Sequence, residues 1–475
     1  MRKKLYINGE WTQSEQYADL FSPYSEEKIA EIPQASEEQV DAAIDAAYHN
    51  RESMAKLTAY EKAKILENLV TLFKENRIKA AQIISLESAK PLKFSLGEVD
   101  RTIETYKFAA EEAKRIHGEM IPMDAAQNGG NRLGYTLREP IGVVAAITPF
   151  NFPMNLVAHK VGPAIAAGNT IVLKPASQTP LSAFFLAELL EEAGLPKGAF
   201  NVVTGSGRLV GDRLVTSDKV SMITFTGSPE VGLGIRNKAG FKKVALELGS
   251  NAGLIIDEGM DLDKIIPKCV TGAFSNQGQV CISLQRIYVH ENVLETFTEK
   301  FKEATEKLIL GDPLDEQTDL SALISRNDIE RAKAWIDEAI EEGGTVVTGG
   351  EIVKNILLPT VIVDVKSHSK VSCQEVFAPI VTINSIENVE EGIRQINDSK
   401  YGLQAGIFTK DINTALNASK QLEVGGVMIN DIPTYRVDQM PYGGVKESGN
   451  AREGLKYTIE EMTEMKLVVW NQEQF

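Results

Sequence analysis

From residue 141 onward, short apolar β-rich runs alternate with helical patterns, and this alternation limits the possible folds more than any other feature. The first five runs are "IGVVAAI", "NTIVLK", "FNVV", "VSMITF" and "KVALEL". Helical patterns fill the gaps between them, at residues 155 to 166, 179 to 193, 207 to 216 and 229 to 239. Strands separated by helices build parallel sheets. We therefore expect an α/β fold that begins with a dinucleotide-binding order of elements.

A second alternation follows residue 260. Its strand-like runs are "RIYVH", "GTVVT", "TVIVDV", "APIVTINSI" and "GLQAGIFT", and its helical patterns cover 262 to 277, 293 to 309, 326 to 342 and 412 to 422. This pattern predicts a second α/β domain. Upstream, residues 36 to 118 read as charged amphipathic helices, which we expect to cover one face of the first sheet.

Two smaller features predict local structure. In the helix of residues 179 to 193, Thr179 is placed as the N-cap and Pro180 as the first helical residue. The C-terminal run "EMTEMKLVVW" reads as a single strand, which needs a sheet edge to join. A partner subunit could supply that edge, and we expect a homodimer or homotetramer.

Composition excludes several classes of function. The chain has 50 Lys plus Arg against 66 Asp plus Glu, a net charge of −16, and no basic run, so we expect no nucleic-acid partner. No apolar run approaches the roughly 20 residues of a membrane span, and we expect no membrane partner. The 3 cysteines and 5 histidines have no metal-type spacing, so we expect no metal. Three well-separated cysteines do not form a disulfide framework and point to the cytoplasm.

The stretch "FSNQGQVCISLQR" contains the one cysteine whose surroundings favour chemistry. Gly278 permits close approach to the thiol of Cys281, and the neighbouring polar residues are neutral, so they do not oppose a thiolate. A small buried hydrophobe is the commoner role for a lone cysteine. On the residues alone, both interpretations of Cys281 stay open.

Two further positions suit acyl chemistry. In "TPFNFPMN", Pro149 and Pro153 hold Asn151 in a stiff extended loop, where its amide fits an oxyanion site. The alternative is that Asn151 turns the chain or caps the helix that starts near residue 155. Glu247 ends an otherwise apolar strand, where a carboxylate is either paired for structure or a base with a raised pKa.

Two glycine clusters compete for the phosphates of a cofactor. The first has Gly205, Gly207 and Gly211 in "TGSGRLVG", and the second has Gly227, Ser228 and Gly232 in "FTGSPEVG". Both follow a strand and begin a helix, and physical reasoning does not rank them.

The second strand of the dinucleotide-binding order ends in "VLKPASQTP", which offers a cation and a hydroxyl. A fold specific for NAD usually places an acid here to bind the ribose hydroxyls, whereas Lys174 and Ser177 suit a 2′-phosphate. A solvated lysine at a strand end is the alternative.

Seven motifs, in this order along the chain, resemble those of the aldehyde dehydrogenase superfamily. They are "TPFNFPMN", "VLKPASQTP", "FTGSPEVG", "LELGSN", "GQVC", "QEVFAP" and "MPYGGVKESGNAREG". The resemblance runs from "YINGEW" to the final strand. It implies a cofactor-binding domain at 1–120 and 141–248 and a catalytic domain at 249–430. It also implies a small β oligomerisation element at 121–140 and 455–475, with 431–454 returning near the active site.

The resemblance implies a mechanism for oxidising an aldehyde to a carboxylic acid. Cys281 would attack the aldehyde, and Asn151 and the Cys281 amide would hold the oxyanion. Hydride transfer to nicotinamide would leave a thioester, and Glu247 would activate the water that hydrolyses it.

The resemblance also assigns a site for NADP, NAD or both. It places Ser228 at the pyrophosphate, Lys174 at the adenosine ribose, and Glu375 and Phe377 at the nicotinamide. The other residues implied at the cofactor are Thr148, Pro149, Phe150, Ser177, Gly227, Gly232 and Leu248. Members that prefer NAD usually carry Glu where this chain has Ser177, which favours use of NADP.

Three motifs, "GSN", "VCISLQR" and "MINDIPTYRVDQMPYGG", resemble those of one branch of the superfamily. That branch acts on small hydroxyaldehydes and on anionic aldehydes of the lactaldehyde, glyceraldehyde phosphate or sulfo-aldehyde type. Arg436 is a candidate partner for an anionic group, with Arg101 and Tyr106 on the helix expected to line the entrance. Val280 beside the nucleophile adds no cation.

Two departures from the usual family pattern stand near the site. "ELGSN" replaces "ELGGK", and Ala378 makes "VFAP" of "VFGP". Two other functions stay open: acyl transfer to coenzyme A, against which Glu247 argues, and a catalytically silent protein that kept the fold.

Overall fold

The computed structural model describes residues 1–472, in which strands and helices alternate over most of the chain. The strands are β1 (Leu5–Ile7), β2 (Glu10–Thr12), β3 (Gln16–Phe21), β4 (Lys28–Gln34), β5 (Met120–Ile121), β6 (Arg132–Pro140), β7 (Val143–Ile147), β8 (Thr170–Lys174), β9 (Phe200–Val202), β10 (Met222–Thr226), β11 (Lys243–Glu247), β12 (Gly253–Ile256), β13 (Arg286–His290), β14 (Thr345–Thr348), β15 (Ile352–Val353), β16 (Ile356–Leu357), β17 (Thr360–Val363), β18 (Ile380–Ile386), β19 (Tyr401–Gly402), β20 (Gln404–Phe408), β21 (Gly426–Ile429), β22 (Val445–Lys446) and β23 (Thr463–Asn471).

The α-helices are α1 (Glu37–Lys56), α2 (Ala59–Glu75), α3 (Arg77–Ser88), α4 (Leu92–Glu112), α5 (Asn155–Ala167), α6 (Leu181–Glu192), α7 (Asp212–Thr216), α8 (Pro229–Lys238), α9 (Leu262–Phe274), α10 (Glu291–Thr305), α11 (Arg326–Glu341), α12 (Lys370–Cys373), α13 (Val389–Asn397), α14 (Ile412–Gln421) and α15 (Leu455–Glu461). Short helical turns cover Met123–Ala125, Gly207–Gly211 and Ser275–Gly278. Of the helices described, none is long and apolar enough to cross a membrane.

The first large sheet has the strand order β11-β10-β7-β8-β9-β1-β2, with β7 to β11 parallel. The chain moves from β7 to β8 and β9 on one side, then returns to place β10 and β11 on the other side. This change of direction leaves a crevice at the carboxyl ends of the strands, where open α/β sheets bind ligands.

The second large sheet has the order β14-β17-β18-β13-β12-β20-β21, and all its pairs are parallel except β14 with β17. Its strands are largely buried and carry aliphatic side chains, as expected for a sheet covered on both faces. The two sheets confirm the α/β fold class.

The C-terminal strand finds its partner within the chain. β23 pairs antiparallel with β6 over nine residues, from Thr463 opposite Pro140 to Asn471 opposite Arg132, and β5 completes a three-stranded sheet. The edge that a partner subunit could have supplied therefore comes from the same chain. The nine-residue strand β6, which precedes β7 in the chain, provides that edge. Residues 473–475 of the predicted oligomerisation element lie outside the described residues.

The N-terminal helices cover both faces of the first sheet, and not one face as expected. Side chains of α1, such as Val40 and Ile44, pack with Val143 and Ala145 on one face. Helices α2, α3 and α4 join a core with the alternate residues of β7 on the other face. Successive residues of a strand point to opposite faces, so β7 contacts both layers.

Helix α6 begins at Leu181, with Pro180 in the N-cap position that the sequence assigned to Thr179. Its first amides are bound by Glu87 of α3: Leu181 N donates to Glu87 Oε2 at 2.7 Å and Ser182 N to Glu87 Oε1 at 3.0 Å. A carboxylate from a distant helix therefore replaces the local cap. Propensity rules that look only at neighbouring residues cannot find it.

Candidate active site

Cys281 follows a left-handed turn at the end of α9. Asn276, Gln277 and Gly278 have φ angles of 50°, 56° and 69°. Gly278 is required because a Cβ there would collide with the carbonyl oxygen of Ala378. Gln277 is held by donating to the carbonyl oxygens of Ala89 (3.0 Å) and Ala322 (2.8 Å). The turn is thus fixed from three other segments of the chain.

The thiol of Cys281 contacts Tyr442, with 2.7 Å between Sγ and the phenolic oxygen. The Arg436 guanidinium lies 3.6 Å from the centroid of the same phenol ring. Burial raises the pKa of Cys281 to about 11, although the Tyr442 hydrogen bond and the Arg436 charge both favour the thiolate. A thiol with this pKa is mostly protonated at neutral pH.

Asn151 points its amide toward the Cys281 loop. Its Nδ2 donates to the carbonyl oxygen of Gln279 at 3.0 Å, and its buried Oδ1 has no hydrogen-bond partner among the described residues. Capping of α5 falls instead to Glu98, whose Oε1 accepts from the amides of Met154 (2.9 Å) and Asn155 (3.2 Å). The sequence interpretation of Asn151 as the cap of α5 is therefore wrong.

A buried ion pair supports the Asn151 loop. The side chains of Lys90 and Glu98 have 0% exposure and contact each other directly. Lys90 Nζ also donates to the carbonyl oxygen of Asn151 at 2.6 Å and lies 3.8 Å from the Phe152 ring centroid. A buried pair is weak evidence for stability, so its contact with Asn151 is the more informative property.

Glu247 ends β11 with a side chain that is buried and unpaired. Neither carboxylate oxygen has a hydrogen-bond partner within residues 1–472. Burial, then the nearby Glu453 carboxylate, raise the pKa of Glu247 well above its usual value. The buried site therefore favours the protonated form of Glu247.

Glu453 takes the opposite protonation state because it holds the local cations. Its Oε1 lies 3.3 Å from Lys160 Nζ and its Oε2 2.7 Å from Arg436 Nη2. Although burial raises it, these two charges lower the pKa of Glu453 to about 2. Two neighbouring carboxyl groups with separated pKa values are an arrangement typical of acid–base sites.

The carboxyl ends of the central strands collect the predicted cofactor residues. Ile147 pairs with Lys174, and Thr226 with Glu247, so Thr148, Lys174, Gly227 and Leu248 share one edge of the first sheet. Thr148 Oγ1 is buried with no partner among the described residues. Pro149 and Phe150 continue from Thr148, and Ser177 is exposed three residues beyond Lys174.

Both glycine clusters begin a helical segment, but their surroundings differ. Ser206 caps the π-helical turn Gly207–Gly211, and Ser228 caps α8 by accepting from Val231 N at 3.4 Å. Gly232 packs on Leu248, since a Cβ there would lie 2.6 Å from Leu248 Cδ2. The second cluster therefore lies beside β11 and the Glu247 edge.

Glu375 and Phe377 reach the same edge from the second sheet. Glu375 Oε1 accepts from Ser250 N at 3.1 Å, and burial raises the pKa of this carboxyl to about 7. Phe377 has φ of 50°, and its ring meets Phe150 edge to face at 5.7 Å. These polar and aromatic groups, with the unpaired Thr148 hydroxyl and the capped α8, fit a dinucleotide.

A cavity of about 250 Å³ opens beside Cys281, and cations dominate its charged lining. Lys90, Lys93, Arg101 and Arg436 line it against a single acid, Glu98. Each cation also has an acidic partner, which for Arg101 is Asp438 at 2.7 Å. Apolar side chains, including Phe152 and Val280, complete the wall.

Tyr106 is not part of this cavity, and its assignment to the substrate is wrong. Its side chain is fully buried, its ring stacks on Phe73 at 5.7 Å, and its ring carbons lie against Gly162 of α5. Tyr106 faces the helical core, whereas Arg101, on the same helix, reaches the cavity.

The sequence model of the aldehyde dehydrogenase family matches residues 11–468. The chain belongs to the aldehyde dehydrogenase family. As a member of this family, it is an oxidoreductase that acts on aldehydes with NAD or NADP.

Two relatives align with nearly the whole of this aldehyde dehydrogenase. One is 3-sulfolactaldehyde dehydrogenase from Priestia aryabhattai, 47% identical over 98% of each chain. Another is lactaldehyde dehydrogenase from Methanococcus aeolicus, 41% identical over 98% of this chain and 100% of the relative.

Two solved structures share the fold. Aldehyde dehydrogenase 21 from Physcomitrella patens, in complex with the reaction product succinate, gives a TM-score of 0.97 at 41% identity, covering 99% of this chain and 98% of that one. The other is glyceraldehyde-3-phosphate dehydrogenase GapN from Methanocaldococcus jannaschii, complexed with NADP. It gives a TM-score of 0.93 at 43% identity, covering 96% of this chain and 100% of that one.

Several residues near the site of this aldehyde dehydrogenase were missed by sequence reasoning: Lys90, Glu98, Lys160, Tyr442 and Glu453. Lys160 had a detectable signal, because it stands with His159 in the otherwise apolar "NLVAHKVGPAIAA". A charge inside an apolar helix needs a buried partner. The partner of Lys160 is 293 residues away, at Glu453, so spacing could not identify it.

Proposed function

We propose that this enzyme oxidises a small hydroxyaldehyde whose far end carries a sulfonate, phosphate or carboxylate. The observation that carries the proposal is the cation-lined cavity beside Cys281, in a chain whose net charge is −16. Three of its cations, Lys93, Arg101 and Arg436, stand where an anionic end group would meet them.

Relatives with anionic aldehydes support the proposal. The Priestia relative is named for a sulfonated lactaldehyde, the Methanocaldococcus structure for a phosphorylated glyceraldehyde, and the Physcomitrella patens structure holds the dicarboxylate succinate. A neutral hydroxyaldehyde such as lactaldehyde is the second candidate, favoured by one observation: each cavity cation already has an acidic partner.

Cys281 is the proposed nucleophile. Its thiolate attacks the aldehyde carbon, an S–C bond forms, and the carbonyl π electrons move to the oxygen. Asn151 Nδ2 and the Cys281 amide are the proposed donors to that oxyanion, and the second Nδ2 hydrogen of Asn151 is free for the purpose because Gln279 takes one.

The cofactor supplies the oxidation: when bound, its nicotinamide accepts the hydride of the former aldehyde carbon. Thr148, Ser228, Glu375 and Phe377 are proposed to hold it, with Lys174 at the adenosine ribose. Lys174 supports the use of NADP, because its ammonium group has only a weak bond of 3.4 Å to the Pro175 carbonyl and is free to meet a phosphate.

Glu247 is the proposed base for hydrolysis of the thioester. Water attacks the acyl carbon, its proton passes to the Glu247 carboxylate, and the C–S bond breaks to release Cys281 and the carboxylic acid. Glu453 and Lys160 tune this base, since the Glu453 charge favours the protonated form and the Lys160 charge opposes it.

A panel of neutral, hydroxylated, phosphorylated and sulfonated aldehydes, assayed with NADP and with NAD, tests the substrate proposal. We expect the highest kcat/KM for an anionic hydroxyaldehyde. If neutral lactaldehyde gives the highest value, the second candidate is correct. Product analysis with and without coenzyme A separates hydrolysis from acyl transfer.

The same proposal assigns a role to each part of the chain: residues 1–120 and 141–248 bind the cofactor, 249–430 supply the nucleophile, and 431–454 line the site.

We also propose a cytoplasmic homodimer or homotetramer. Cys269, Cys281 and Cys373 are free thiols, and the edge strand β23 exposes Met465 and Leu467. Light scattering on the purified protein tests the assembly, and a monomer would contradict it.

A further inference from the structure

Tyr442 contacts the reacting sulfur and is rigidly held. Its phenolic oxygen lies 2.7 Å from Cys281 Sγ, and the side chain is buried. The Tyr442 amide donates to the Glu453 carbonyl at 3.0 Å, and the Glu453 amide donates back at 2.6 Å. The backbone bridge fixes the main chain of Tyr442, and burial limits the space into which the phenol can rotate.

Arg436 fixes the phenol ring from its other side. The guanidinium lies 3.6 Å from the ring centroid, and Nη2 bonds Glu453 Oε2 at 2.7 Å and contacts His159 Nε2 at 3.1 Å. A cation over the face of a phenol makes the hydroxyl a better donor, because it draws electron density from the ring. The three groups form a continuous line from Arg436 through Tyr442 to Cys281.

We propose that Tyr442 is a further catalytic residue: its hydroxyl donates a hydrogen bond to the Cys281 thiolate and so makes the nucleophile easier to form. The inference rests on the proposed role of Cys281 and deepens it. Nothing in the linear sequence joins the two residues, which are 161 positions apart.

The charges that face Cys281 make Tyr442 the main local source of stabilisation. Arg436 favours the thiolate, whereas Glu375 and Glu247 oppose it, and burial opposes it most. Burial also keeps the pKa of Tyr442 well above its usual value, so the phenol stays protonated and donates.

The hydrogen bond has two opposite effects on rate. It enlarges the thiolate fraction below the thiol pKa, the proton passing to solvent. It also makes each thiolate less nucleophilic, because reactivity falls as the thiol pKa falls. Tyr442→Phe should therefore raise the thiol pKa by about one to two pKa units, the usual strength of a hydrogen bond to a charged group.

The test is the pH dependence of alkylation by iodoacetamide, followed by mass spectrometry of the Cys281 peptide. In this reaction the S–C bond forms as the C–I bond breaks and iodide leaves. For a rise of one unit, Tyr442→Phe should alkylate about threefold more slowly at neutral pH, and this difference should shrink as the pH rises through the wild-type thiol pKa of about 11. An unchanged midpoint, or a uniform loss of rate at every pH, overturns the proposal.

Three control variants distinguish the role of the Tyr442 hydrogen bond from the role of Cys281 as nucleophile. The Cys373→Ser background removes the other half-buried thiol, and Tyr6→Phe removes a hydroxyl from another buried tyrosine, in β1, with no expected change in the midpoint. Alkylation needs no aldehyde and no cofactor, so it reports on Tyr442 even if Cys281→Ser proved active. An active Cys281→Ser would overturn the nucleophile and leave the hydrogen bond standing.

Discussion

The side-chain ammonium of Lys90 lies 2.6 Å from the backbone carbonyl oxygen of Asn151, and it reaches that oxygen from a fully buried position. The same ammonium is paired with Glu98, which binds the first amides of α5 just after the Asn151 loop. This pair fixes both ends of the loop that carries the proposed oxyanion donor.

Lys90→Met should lower kcat/KM for every aldehyde by about tenfold to a hundredfold, because a small displacement of an oxyanion donor is costly. In an Asn151→Ala background, Lys90→Met should cause little further loss of kcat/KM, since Lys90 acts through Asn151. Lys90→Met leaves Glu98 charged and alone, which destabilises by about 3–5 kcal/mol. The double variant Lys90→Met/Glu98→Gln removes both charges and should recover stability without recovering activity. Recovery of both would mean that the pair has only a structural role.

Glu247→Gln should still form about one equivalent of reduced cofactor per active site. It should release the carboxylic acid very slowly, because hydrolysis of the thioester lacks its base. Stopped-flow absorbance separates the burst from the steady state. In the wild type, the steady-state rate should rise with pH through the raised pKa of Glu247. A flat profile with normal turnover in Glu247→Gln would contradict this role.

The same residue predicts a change in stability with pH. The folded pKa of Glu247 lies above its unfolded value, so the folded state binds the extra proton and stability falls as pH rises from about 4.5 through the folded pKa. Glu247→Gln should lose this part of the dependence. Chemical unfolding of both proteins at several pH values measures the difference, and parallel curves would count against a raised pKa.

Arg101 offers the sharper test of an anionic substrate, because its side chain is 31% exposed in the cavity whereas Arg436 is also built into the Glu453 network. Arg101→Gln should lower kcat/KM for sulfonated and phosphorylated aldehydes by about tenfold to a hundredfold, equal to 1.4–2.7 kcal/mol, and leave neutral lactaldehyde within about threefold. Equal losses for both classes would assign Arg101 to structure. Arg436→Ala with unchanged kcat/KM for every anionic aldehyde would exclude that residue as a substrate contact.

Cofactor preference tests the strand end of β8. We expect NADP to be used at least as well as NAD, and Ser177→Glu to shift the ratio of kcat/KM toward NAD, because a carboxylate repels the 2′-phosphate. If kcat/KM of the wild type were about a hundredfold higher with NAD than with NADP, equal to about 2.7 kcal/mol, the NADP proposal would be wrong.

The sequence predicted the sheets well because hydrophobic period and Gly/Pro punctuation are local signals. The elements carrying Asn151, Lys174, Ser228 and Glu247 follow from such signals. The partners of Glu247 and Cys281 do not, since Glu453 and Tyr442 are joined to them only by the return of residues 431–454 across the strand ends. Tyr106 failed for a related reason: helical period places it on α4, but which face of α4 meets the cavity depends on packing against α5.

The most direct test of the central claim is mass spectrometry of Glu247→Gln after incubation with NADP and an anionic hydroxyaldehyde. We expect the peptide containing Cys281 to gain the mass of the substrate's acyl group, and hydroxylamine to remove it. Reduced cofactor formed with an unmodified Cys281, or an acyl group on another residue, would contradict the account.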